Sequence, residues 1–158
     1  MRILSALLFT LAVAQTPARP DFSGAWELHN SSPVQGAKRA AMLGEKFTAK
    51  QDPKTLTLAI SAMGRMFDAV YNLDGSESRL VSPTGPGLPD EVIISRATWE
   101  GDRLVIRTTS KEILNGKAVD MTTRRVMRID ANGLLVLERS GTPPELVESS
   151  VSVYRRTK

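Results

Sequence analysis

From Asp21 onward, apolar and polar residues alternate in short runs separated by turn-forming text. The stretch "LTLAIS" (56–61) shows the pattern most clearly: Leu56, Leu58 and Ile60 share one side, with Thr57, Ala59 and Ser61 on the other. A period of two is that of a strand with one buried face. The same period predicts strands over 26–30, 46–51, 66–73, 77–81, 91–99, 102–110, 117–130, 134–140 and 149–156. Between them lie Asp52-Pro53, Asp74-Gly75, Glu100-Gly101, Asn115-Gly116, Asn132-Gly133 and Thr142-Pro143-Pro144. Asx-Gly pairs tolerate positive φ and favour tight hairpins, so 77–81 is expected to return along 66–73 after Asp74-Gly75. Two segments break the rhythm. "SPTGPGLPD" (82–90) predicts a long Pro/Gly connection, and Ala37 to Leu43 reads as one short helix after the first strand. The fold class that follows is all-β: an antiparallel up-and-down barrel of about eight to ten strands, whose closure removes exposed edges, with a β-sandwich as the alternative.

The first residues have a different character. Met1-Arg2 gives a positive start, Ile3 to Ala14 is almost unbroken apolar text, and Ala12-Val13-Ala14 has the small-x-small form of a cleavage site. This is the layout of a signal peptide, 1–14, cut before Gln15. The run is shorter than the roughly 20 residues that span a bilayer as a helix, which favours removal over anchoring. Residues 15–20 then form a linker to a single domain at 21–158, exported to the periplasm or beyond. The chain has no cysteine, so neither a disulfide nor a lipid-bearing cysteine enters the picture.

Charge adds little. The net charge is +4, falling by one with Arg2, and the isoelectric point is near 9.7. Yet basic residues are scattered along the strands, and aromatics make up only 5% of the chain. Nucleic-acid binding calls for clustered charge with stacking rings, so no nucleic-acid partner is expected.

Gly24-Ala25-Trp26, preceded by Phe22, resembles the G-x-W signature on the first strand of lipocalins and fatty-acid-binding proteins, the calycin group. The short helix after the first strand and the closing "VYRR" resemble that layout too. In the group, a basic residue on the last strand commonly packs over the tryptophan. "DFSGAW" with "YNLDGSES" and "TWEGDRLVI" is also similar to small exported bacterial proteins of unassigned function, usually drawn as lipocalin-like barrels. The resemblance implies that Gly24 and Trp26 form a structural plug at one end of the barrel. It does not carry over a carboxylate anchor, because the Arg-x-Tyr pair of fatty-acid-binding proteins is broken here, with Ser152 two residues before Tyr154.

No catalytic constellation is visible: there is no Gly-x-Ser-x-Gly elbow, no phosphate loop and no Cys pair. The single histidine, His29, falls opposite Trp26 and Leu28, on the solvent side. No metal site or cofactor is expected. The notable residues are arginines on otherwise apolar strand faces. Arg125 shares a face with Met121, Thr123 and Met127, and Arg96 with Val92, Ile94 and Thr98. An arginine inside a barrel needs an anionic partner, which could be a ligand carboxylate or Asp68; the alternative is that it reaches solvent. Arg125, Arg96, Met121, Met127 and Leu58 are therefore the candidate ligand-binding residues. The expected function is an exported binder of a small hydrophobic or anionic amphipathic molecule. The alternative is a cell-envelope interaction module with a filled barrel.

Overall fold

The computed structural model describes residues 18–33, 43–62, 64–82, 91–147 and 149–157. The leader, the expected helix over 37–43 apart from Leu43, and the 83–90 part of the Pro/Gly loop lie outside these residues. Leu43 sits in a turn, and no helix occurs among the described residues.

Ten strands follow in order: β1 (Gly24–Pro33), β2 (Lys46–Gln51), β3 (Thr55–Ala62), β4 (Arg65–Asn72), β5 (Glu77–Ser82), β6 (Glu91–Glu100), β7 (Arg103–Leu114), β8 (Lys117–Ile129), β9 (Leu135–Thr142) and β10 (Ser150–Arg156). They form a single antiparallel sheet in the order β4-β3-β2-β1-β10-β9-β8-β7-β6-β5. Nearly every neighbour in space is a neighbour in sequence; the exception, β1 against β10, joins the two chain ends. The sheet thus curls into an up-and-down, nearly closed barrel, and the sandwich alternative falls away.

Strand alternation sets the interior. Leu56, Leu58 and Ile60 on β3 face Ala69 and Tyr71 on β4, while Leu104 and Ile106 on β7 line up beside Met127 on β8 and Leu135 and Leu137 on β9. β7 runs four residues past its expected end because Asn115 and Gly116 both take positive φ (51° and 77°), which lets Leu114 pair with Lys117 at the first rung.

The turn at Asp74-Gly75 behaves differently, and the expected β4–β5 hairpin does not form. β4 and β5 are the two ends of the strand order and share no ladder. Leu73 is buried in the core, and its N–H donates to the Lys54 carbonyl at 2.8 Å, drawing the chain toward β3. Side chains then take over the bonds that a first rung would use. Asn72 N–H donates to Ser78 Oγ at 2.7 Å, and the Asn72 side-chain amide donates to the Glu77 carbonyl at 2.8 Å. A seam therefore runs between β4 and β5, pinned at the end that carries this turn.

That same end holds the aromatic base of the core. Trp26 is 1% exposed and donates its indole N–H to the Phe22 carbonyl at 2.9 Å. The Arg156 guanidinium lies 4.9 Å from the Trp26 ring centroid, and Arg156 also donates to the Asp21 carbonyl. Gly24, at φ 132°, passes beside the Arg156 side chain, where any other residue would be strained. Phe22 stacks on Trp99 with centroids 5.9 Å apart, and Arg19 covers the other ring at 5.4 Å. Nearer the far end, Tyr154 accepts from the Leu43 N–H and donates to the Gly44 carbonyl, tying the segment after β1 to β10. Burial pushes the Tyr154 phenol above its ordinary pKa.

Candidate functional site

The lumen has two unlike walls. Along β2, β3 and β4 it is apolar: Phe47, Ala49, Leu56, Leu58, Ile60 and Ala69. Across β5 to β8 runs a row of hydroxyls in register, Ser78 beside Ser95, Ser95 beside Thr108, and Thr108 beside Thr123. All four are buried. Ser95 Oγ and Thr108 Oγ1 lie 2.7 Å apart, so each satisfies the other, as buried polar groups must.

One rung from that row stands Arg125. Its Nη2 donates to the Tyr71 hydroxyl at 3.1 Å, and its guanidinium lies 5.6 Å from the Tyr71 ring centroid. Tyr71 is on β4, so this contact crosses the lumen from one wall to the other. Among the described residues no carboxylate pairs with Arg125, and Asp68, which alternates with Ala69 and Phe67, is exposed on the outer face. The cation therefore meets a neutral phenol and a ring face. Its cross-strand neighbour on β9 is Arg139, on the strand face that carries Leu135 and Leu137. A further donor lies among the core aromatics, where the buried Trp99 indole N–H has no hydrogen-bond partner among the described residues.

The other candidates divide. Leu58 and Met127 are buried in the core, on opposite walls, and Met121 is half-buried on the Arg125 face. Trp26 and Gly24 sit together at the aromatic base. His29 is exposed, at the irregularity between Leu28 and Asn30 where β1 slips against β10. Arg96 requires correction. It points outward, 58% exposed, and pairs with Glu77 at 2.9 Å. Both faces of β6 carry apolar residues, and the inward one is Ile93, Ser95, Ala97 and Trp99, set by the large ring of Trp99 and its packing on Phe22. Val92 and Ile94 made the opposite face look like the core side.

On the outside, Arg96, Arg107 and Arg124 stand directly across from one another on β6, β7 and β8. Glu100 accepts from both Arg107 and Arg124 at 3.1 Å, which offsets their mutual repulsion. A shallow groove of about 210 Å³ opens nearby on the outer face of β8–β10, lined by Arg124, Val126, Glu138, Ser140 and Val151.

The hydroxyl row and Tyr71 are the interior residues that the sequence pattern did not single out. Ser95, Thr108 and Thr123 each alternate with core residues, and that was the available signal. No helix among the described residues is long and apolar enough to cross a membrane. No family model matches this chain, and no curated protein matches it.

Proposed function

We propose that the protein is an exported carrier that holds a small amphipathic anion in the lumen. Its acidic head would meet Arg125, and its apolar part would lie along the Leu58 wall, with Met121 and Met127 filling around it. The observation that carries this reading is the Arg125 guanidinium, held inside the barrel against Tyr71 with no carboxylate partner among the described residues. A partly buried charge without an anionic partner is costly, and a bidentate carboxylate or phosphate would relieve it. The hydroxyl row and the apolar wall suit the two halves of such a molecule. Arg156 over Trp26 beside Gly24 supports the calycin-like resemblance, in which a basic residue covers the first-strand tryptophan.

Native mass spectrometry of the protein purified from an exporting host tests the proposal. The expected result is a retained mass that vanishes on denaturation, and whose acidic component binds about 10- to 100-fold more weakly to an Arg125→Met variant, the loss typical of a hydrogen bond to a charge. A clean apo mass, with no thermal shift across fatty acids and small acidic metabolites, would sink the carrier reading. It would favour instead a barrel filled by its own Phe, Trp and Leu side chains that works by its outer surface.

A further inference from the structure

Among the described residues, the large apolar side chains left exposed are Met66 (70%), Val81 (53%), Val92 (50%) and Val70 (41%). All four lie on the outer face of three successive strands, β4, β5 and β6, two of which border the seam. Their placement follows from alternation. Met66 and Val70 flank the inward Phe67 and Ala69, Val81 follows inward Leu80, and Val92 precedes inward Ile93. Val81 and Val92 are directly paired across β5 and β6. Met66 stands near the start of β4, Val81 near the end of β5 and Val92 near the start of β6. In an antiparallel meander those three positions share one end of the barrel, the end away from Trp26.

Charge follows one step behind. Arg79 is the next outward residue on β5 after Val81; it is exposed and has no acidic partner among the described residues. Two strand residues separate the apolar tip from the cation, roughly 7 Å. Asp68 lies on the same face of β4, between Met66 and Val70. Apolar side chains near this end, with an arginine that has no acidic partner among the described residues at that depth behind them, match the layering of an anionic bilayer surface. There, apolar groups enter about 5–10 Å to the acyl boundary and cations stop among the phosphates. A second copy fits less well, since an isologous two-fold contact over this patch would bring Arg79 near its own equivalent.

We infer that the rim of β4–β6 is a docking surface for an anionic lipid bilayer, with Met66, Val81 and Val92 inserting and Arg79 engaging lipid phosphates. This stands independently of what the lumen holds.

Vesicle co-sedimentation of the purified protein tests it, comparing pure phosphatidylcholine with vesicles carrying about 30 mol % phosphatidylglycerol. The expected result is binding to the anionic vesicles that weakens with salt and falls about tenfold or more in a Val81→Ser/Val92→Ser variant. Arg79→Gln should lose about fivefold, the worth of one cation at such a surface. Arg103→Gln, an exposed arginine at the opposite end, should lose no more than any unit drop in net charge outside the contact. Because the substituted side chains are exposed, all variants should keep the parent's thermal midpoint and hence report binding rather than folding. The inference is overturned if the parent protein fails to sediment with anionic vesicles, or if the double variant binds as well as the parent. It is also overturned if sedimentation velocity without lipid finds a dimer that the double variant dissolves, which would give the patch to a second copy.

Discussion

The β7–β8 hairpin turns at Asn115-Gly116, pairs Leu114 with Lys117, and stays paired without a slip as far as Leu104 and Met127. The β4–β5 connection turns at Asp74-Gly75, similar text with Gly75 also at positive φ (85°), and forms no ladder at all. The difference lies in the neighbours of the turn. Leu73 is buried, and burying a leucine contributes about 1.5–3 kcal/mol, more than the net 0.5–1.5 kcal/mol of a hydrogen bond in a first rung. Asp74 then closes the loop locally, its Oδ1 accepting from Ser76 Oγ at 2.6 Å and from Ser76 N–H at 2.9 Å. A turn dipeptide therefore sets the local geometry, while the residue beside it decides whether two strands zip.

The largest test of this contrast is Leu73→Ala. It should cost about 2–5 kcal/mol in urea unfolding, since it empties a core position; a cost near zero would mean that the core does not hold the loop open. Next come the two glycines. Gly75→Ala should cost more than Gly116→Ala, which should lie at about 1–2 kcal/mol from positive φ alone. At Gly75 the added Cβ would also lie 3.1 Å from Thr98 Cγ2, whereas nothing lies within 4 Å at Gly116. Equal thermal losses would contradict that ordering. Ser78→Ala strips the hydroxyl from the Asn72 N–H and should cost about 1 kcal/mol, with faster amide exchange at Asn72 as its signature.

The smallest effect is one of pH. The hydrogen bonds from the Ser76 side chain and then its N–H hold the Asp74 carboxyl below its ordinary 3.8. A lowered folded-state value means that the ionised form stabilises the native state. That contribution is complete above the unfolded value and disappears as pH falls through the folded one. Asp74→Asn should therefore lose a small amount of stability near neutrality, where the ionised form contributes in full, and flatten the acid limb of the stability curve below about pH 4. An unaltered acid limb would show that the loop does not depend on the ionised carboxylate.

Strand positions are legible because period two is a local property, and six of the turns need only Gly, Pro or Asx text to be placed near their true ends. What could not be read was which strands meet. The β4–β5 seam depends on Leu73 competing with a rung, and that competition is tertiary. Arg125 came out as an inward residue because Met127 and Thr123 left its face unambiguous. Arg96 misled because β6 offers apolar residues on both sides, and only the stacking of Trp99 on Phe22 fixes the inward one. Tyr71 as the partner of Arg125 lies six strands away in the sheet order, beyond any spacing rule.

The pairing of Trp26 with Arg156 and Glu27 with Arg155 has a consequence for how the molecule is made. From β2 to β4 and from β5 to β9 every ladder joins consecutive strands and can zip as soon as its second member appears. β1 pairs with β2 at once, but its other edge waits for β10. A chain emerging amino end first can build meander fragments, but it cannot join them into one sheet until β10 has arrived. Closure is thus a single late event, paid for by the entropy of a loop nearly as long as the domain. Truncating β10 should cost more than one strand's worth of contacts, because it removes the ladder that joins the β1–β4 and β5–β9 ribbons into one sheet.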